Sequence, residues 1–256
     1  MRMSAKNQSL LWLEPGQSFP PMEYAWDTST ELPGLLCAGG DLRVATLIQA
    51  YSNCIFPWFS AGQPILWWST DPRMVLTVDH FRLHPSFKKI LRRFVRSPGC
   101  EIRIDSAFEA VIHNCAQSER HGQHGTWIVP EMIDAYTQLH RTGRAHSVET
   151  WIDGKLSGGL YFVALGQAAF GESMFHIAPD ASKIALAALV AMCRHFGVTH
   201  IDCQQNTPHL ASLGASEMPR NDFATHVRAA VNLVAPCWTF SPVYWNHIDT
   251  TLLVPT

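Results

Sequence analysis

The stretch from 146 to 175 constrains this chain most. It reads HSVETWI, then Asp153-Gly154, then KLSGGLYFVAL, then Gly166-Gln167, then AAFGESMF. Three β-prone runs joined by two-residue turns form an antiparallel meander, and Asp-Gly is a strong hairpin signal. Around the meander, HPSFKKILRRFVR, SAFEAVIHNCA and PEMIDAYTQLHRTG carry helical periodicity. The last of these has Pro130 near its start and Gly143 past its end, as helices favour. DASKIALAALVAMCRHFG is apolar on most sides, which predicts a buried helix stopped by Gly197. CEIRIDSA and VTHIDCQ alternate as strands do, and PRNDFATHVRAAVNLV closes the pattern as a helix. The order is helix, strand, two helices, meander, helix, strand, helix. That is an α+β arrangement on a mixed, mainly antiparallel sheet.

Residues 1 to 75 differ in character. They are rich in Pro, Gly and Trp, with one helix within GGDLRVATLIQAYSNCIF, where Asp41 is the expected N-cap. PWFSAGQPILWWSTDPR follows as short extended pieces. We expect a small N-terminal domain over 1–75 and a larger domain over 76–256.

The apolar fraction of 47% against 16% charged residues is that of a folded, core-rich protein. The seven Cys are scattered without a CxxC pair, which fits free thiols in a reducing cytosol. LLWLEPG is too short an apolar run for a signal peptide, and IALAALVAMC is far short of a membrane span. A cytoplasmic monomer with no membrane association is the expectation.

Four features invite chemistry. In VTHIDCQ, strand periodicity puts Asp202 and Gln204 on one face and Cys203 on the other, toward the core. Polar residues are ordinary at strand ends, yet on an inward face they need partners. Glu172 stands between Phe170 and Met174 at period two, so one face would hold a carboxylate among bulky apolar groups. Seven of the 19 basic residues fall between 82 and 103, where Glu101 is the sole acid. Lys88, Lys89, Arg92, Arg93 and Arg96 share one helix face, either as a solvated surface or as a phosphate-binding one. Trp58, Trp67, Trp68 and Trp127 are core residues or base-stacking ones. GESMF lacks the second Gly of a nucleophile elbow, no zinc spacing closes, and there is no phosphate-binding glycine motif.

Taken together, GGDL, YSNCIFPWFS, PILWWSTDPR, GTWIVPEMIDAYTQLHRTGRAHSVETW, GGLYFVALG, FGESMF, ASKIALAALV, IDCQ and HLASLGA run in order from about 34 to 223. They resemble the leucyl/phenylalanyl-tRNA–protein transferases. The resemblance implies a small N-terminal domain and a larger acetyltransferase-like (GNAT-type) domain. It implies transfer of Leu or Phe, and Met less well, from Leu-tRNA or Phe-tRNA to acceptor proteins with N-terminal Arg or Lys. The product is marked for N-end rule degradation, and no cofactor or metal takes part. Carried over by motif, Trp58, Trp127 and Tyr136 hold the 3′-terminal adenosine. Leu160, Phe170 and Met174 line the aminoacyl pocket, and Glu172, Asp202 and Gln204 surround the reacting ester and amine. The helix from 84 to 96 meets the tRNA backbone. One departure is Phe162, where a GGLYG pattern has Gly; the larger side chain is expected to narrow a nearby pocket.

Two other functions compete. An acetyl-CoA-dependent N-acetyltransferase on the same fold would need a glycine-rich loop before its central helix, but HIAPDASKIAL has no glycine there. A non-catalytic RNA-binding module explains the basic helix but leaves Glu172, Asp202 and Gln204 without a role.

Overall fold

The computed structural model describes residues 9–118 and 128–249. The first lobe holds β1 (Leu11–Leu13), β2 (Leu35–Gly39), α1 (Val44–Ser52), β3 (Phe56–Pro57) and β4 (Leu66–Trp68). Its four strands form one sheet in the order β1-β2-β4-β3. Asp41 does not stand at the N-cap of α1, which is Arg43. It fixes the helix entry from two residues earlier, accepting from Arg43 N at 3.0 Å and Thr46 Oγ1 at 2.6 Å.

The second sheet starts at Arg73, so residue 75 lies inside a strand. Its elements begin with β5 (Arg73–Thr77), α2 (Pro85–Arg96), β6 (Cys100–Ile104), α3 (Phe108–Gln117) and α4 (Pro130–Arg141). The meander follows as β7 (Ala145–Ile152), β8 (Lys155–Leu165) and β9 (Ala168–His176). The chain then runs through α5 (Ala181–Phe196), β10 (His200–Gln204), α6 (Pro208–Ser212), β11 (Ser216–Met218) and α7 (Arg220–Ala230). The β7–β8 turn takes φ of 50° at Asp153 and 72° at Gly154, the paired positive values that a tight hairpin demands.

Seven strands lie in the order β11-β5-β10-β9-β8-β7-β6. Every neighbouring pair is antiparallel except β9 and β10. That parallel pair meets only at Ile201 against Ala169 and Asp202 against Phe170. Beyond them β9 runs on to His176 while β10 ends at Gln204, so the sheet forks.

The pleat sorts side chains to two cores. Leu76, Leu160, Phe162, Ala164, Ala169 and Ile201 pack toward α2 and α5. Val75, Tyr161, Val163, Leu165 and Phe170 pack toward α1, α3, α4 and α7. Helix α5 is buried on nearly every side, as its composition predicts, and ends at Gly197 with φ 76°. Phe162 is fully buried with its ring 4.9 Å from that of Trp238, so its bulk anchors the segment after α7. Among the described residues, no helix is long and apolar enough to cross a membrane.

Candidate active site

The fork between β9 and β10 gathers the polar residues. Asp202 has no solvent exposure, and neither does Arg73 of β5. Arg73 donates from Nε to Oδ1 at 2.8 Å and from Nη2 to Oδ2 at 2.7 Å, a bidentate pair. Its Nη1 donates to Cys54 O at 3.1 Å, and its guanidinium lies over the rings of Phe56 at 4.7 Å and Phe223 at 5.2 Å. Burial alone would lower the Arg73 pKa, but the Asp202 charge and hydrogen bonds outweigh it and the net shift is upward. Asp202 therefore does not line an open cleft; both its oxygens serve the interior.

Gln204 owes its position to Asp202. The ladder with β5 slips between Asp202 and Gln204, a bulge that frees Gln204 from strict alternation. Its φ is 54°, in the left-handed region where a side chain is strained. Two bonds hold it there: its N–H donates to Asp202 Oδ1 at 2.9 Å, and its carbonyl accepts from Thr70 Oγ1 at 3.1 Å. The side-chain Nε2 is buried with no partner among the described residues. A buried donor takes its acceptor from water or from a bound ligand. Cys203, between the two, packs toward the α5 core with its thiol pushed up to about 12 by burial, so it is no nucleophile.

Glu172 sits at a second bulge, where Tyr161 opposes Ser173 and Phe162 opposes Gly171. The bulge breaks the period-two expectation. Phe170 lies in the core under α1, whereas Met174 opposes Leu160 and faces α5 with it. Leu160 and Met174 share a face and Phe170 is on the other one. Glu172 follows Phe170: its Oε1 accepts from Tyr51 Oη at 2.6 Å and its Oε2 from Tyr136 Oη at 3.2 Å. The two hydroxyls are 2.5 Å apart. Burial raises the Glu172 carboxyl to about 7, with the Tyr51 hydrogen bond opposing that rise.

Tyr136 is fully buried, so its ring offers no face to a base; it presents its hydroxyl to Glu172. Trp58 is half-buried with its ring 5.4 Å from that of Trp68, at an angle of 60°. Trp127 lies outside the described residues. Lys89, Arg93 and Arg96 on α2 are exposed, while Lys88 pairs with Asp249 at 2.5 Å and Arg92 approaches the same carboxylate at 3.9 Å. Helix α2 packs near β6, three strands beyond β9. Among the described residues, no cluster of three His, Cys, Asp or Glu is arranged to hold a metal ion.

Tyr51, Thr70 and Arg73 belong to this site, although sequence reasoning assigned them no role. All three lie in the quoted stretches YSNCIFPWFS and PILWWSTDPR. Arg73 carried the one usable signal, a lone cation at the head of the apolar run MVLTV.

Residues 75–228 match the family described as leucyl/phenylalanyl-tRNA protein transferase, and residues 40–71 match the N-terminal domain of the same proteins. The leucyl/phenylalanyl-tRNA–protein transferase of Albidiferax ferrireducens is 61% identical over 248 residues, covering 97% of this chain and 98% of that one. The protein of that name from Polaromonas sp. is 60% identical over 239 residues, covering 93% and 94%. The one from Burkholderia multivorans is 56% identical over 229 residues, covering 90% of each. Among solved structures, a GCN5-related N-acetyltransferase from Kribbella flavida aligns with a TM-score of 0.35 at 8% identity, covering 70% of this chain and 62% of that one.

Proposed function

The chain belongs to the leucyl/phenylalanyl-tRNA–protein transferase family, and from that premise we propose how its fork carries out aminoacyl transfer. It is an aminoacyltransferase. The donor is Leu-tRNA or Phe-tRNA, with Met-tRNA used less well, and the acceptor is the α-amine of a protein with N-terminal Arg or Lys. The product is a peptide bond and a substrate for N-end rule degradation. The enzyme works as a monomer in the cytoplasm, the compartment being the one that seven free thiols suit.

The observation that carries this reading is the convergence of Glu172, Asp202 and Gln204 where β9 and β10 part, with the apolar pair Leu160 and Met174 on the opposite, α5-facing side of the same strands. An aminoacyl ester is already activated, so the site must align two substrates and stabilise the oxyanion of a tetrahedral intermediate. We assign Gln204 Nε2, buried without a partner, to that carbonyl oxygen. Asp202 is a positioning residue that holds the Gln204 backbone and is itself held by Arg73. Leu160 and Met174 receive the aminoacyl side chain. Met adapts its shape, and one methylene is worth only about 1–3 kcal/mol, which suits a pocket that takes both Leu and Phe.

Trp58 and Trp127 hold the terminal adenosine, with Tyr136 contributing its hydroxyl behind Glu172 rather than a stacking face. Phe170 supports this wall from the α1 side, its ring 5.1 Å from that of Tyr51. The basic face of α2 meets tRNA phosphates without reading sequence.

The test is competition between two labelled donors, Phe-tRNA and acetyl-CoA, for a peptide with N-terminal Arg. Label entering from Phe-tRNA alone supports the reading. Label entering from acetyl-CoA alone, or from neither, overturns it.

A further inference from the structure

We propose that Glu172 is the proton acceptor of the transfer, taking a proton from the acceptor's α-ammonium, and that Tyr51 and Tyr136 are positioning residues that hold its carboxylate through the change. This rests on the aminoacyl-transfer reading and adds the path of the proton.

Three side chains at the fork could accept a proton, and geometry removes two. Asp202 is fully buried, with one oxygen committed to Arg73 Nη2 and the other to Arg73 Nε and the Gln204 N–H. Gln204 is a neutral amide, which barely accepts a proton. Glu172 is half-buried and each of its oxygens meets one tyrosine hydroxyl.

The triangle also counts correctly for protons. With Glu172 ionised, two phenol protons serve three oxygen pairs, so one pair lacks a hydrogen. A third proton on Oε2 completes a cycle: Glu172 to Tyr136, Tyr136 to Tyr51, and Tyr51 back to Oε1. The ring therefore accommodates both states without moving a heavy atom. Its members come from three elements, α1, α4 and β9. The other charged groups acting on Glu172 are Asp202 of β10 and Arg73 of β5, which oppose each other. Burial holds both phenols well above their ordinary range, so Tyr51 and Tyr136 remain donors.

Burial raises the Glu172 carboxyl to about 7, close to the ~7.7–8 of a free α-amine, so the proton moves between nearly matched groups. The balance over the reaction is two protons. Glu172 takes the first from the ammonium, and the freed lone pair forms the N–C bond at the ester carbonyl. The second leaves the nitrogen as the tetrahedral intermediate collapses. It is matched by the proton that the ribose oxygen gains when its bond to the carbonyl carbon breaks. Glu172 then returns its proton to solvent.

The experiment is the pH dependence of the single-turnover rate with Phe-tRNA and a peptide bearing N-terminal Arg. Attack needs a neutral amine, which ionised Glu172 supplies and which forms without its help above ~8, so the wild-type profile rises through about 7 and then levels off. Glu172→Gln moves the rising limb to the amine's own ~8 and lowers the rate by about 10²–10⁴-fold. Tyr51→Phe deletes a hydrogen bond that favours the carboxylate, so it moves the rising limb upward by roughly one unit. Tyr136→Phe moves it the same way. A merely structural tyrosine would lower the rate and leave the limb in place, and that result overturns its positioning role. A rising limb that survives Glu172→Gln unmoved puts the base elsewhere and overturns the proposal while leaving aminoacyl transfer intact. A wild-type protein inert with Phe-tRNA overturns both.

Discussion

Arg73 and Asp202 form a doubly hydrogen-bonded ion pair shielded from solvent. The pair lies between the lobes, because the third guanidinium nitrogen binds Cys54 O and the Phe56 ring covers one face. Breaking one half of such a pair leaves an uncompensated buried charge and costs about 3–5 kcal/mol, whereas replacing both halves by apolar groups is often neutral. Arg73→Met and Asp202→Leu should each lower the urea midpoint by that equivalent. The double variant should recover most of the loss yet stay inactive, since the Gln204 N–H has lost its acceptor. A double variant as unstable as the singles would show that the pair is not what these positions contribute.

Gln204 should give the opposite pattern. Its φ of 54° is easy for glycine and strained for anything with a Cβ. Gln204→Gly should therefore raise stability by about 1 kcal/mol while removing the amide and most of the activity. Thermal unfolding and initial rates check both halves. Lower stability would mean that the amide supports the fold rather than the reaction.

These two residues mark the limit of what the chain's pattern discloses. The meander was legible because Asp153-Gly154 and the flanking β-prone runs state their geometry locally. Helix α5 was legible because apolar residues on nearly all sides can only be buried. Glu172 and Asp202 stood out as carboxylates in apolar company. The two bulges were not legible, because alternation carries no mark of an inserted residue. The expectation of one face for Phe170, Glu172 and Met174 failed at such a bulge. Tyr51 was hidden for another reason: a tyrosine on the apolar stripe of a helix looks like core until its hydroxyl is seen at Glu172, 121 positions away.

Helix α2 should divide its cations unequally. Lys88 and Arg92 already share Asp249, while Lys89, Arg93 and Arg96 are exposed. Replacing Lys89, Arg93 and Arg96 by Ala should weaken tRNA binding. It should also flatten the dependence on salt by about 0.7–0.9 for each phosphate that is no longer neutralised. Binding measured across a salt series reads this directly. An unchanged slope would remove α2 from the tRNA interface.

Glu172 also ties stability to pH, with a sign opposite to most carboxylates. Its folded value, about 7, lies above the unfolded reference of 4.5, so the folded state binds the extra proton. Its contribution is fully present below 4.5 and is lost as pH rises through 7. Glu172→Gln should flatten this decline when urea unfolding is compared at acidic and at mildly alkaline pH. An identical decline in the variant would place the titrating group elsewhere.

Aminoacyl transfer at the fork is tested most directly by mass spectrometry of a peptide with N-terminal Arg, incubated with Phe-tRNA and either the wild-type protein or Gln204→Ala. The wild-type protein should lengthen the peptide by one phenylalanyl residue. Gln204→Ala should do so about 10²–10³-fold more slowly, the loss expected when one oxyanion donor is removed. A peptide left unextended by the wild-type protein, or extended equally fast by both, would contradict it.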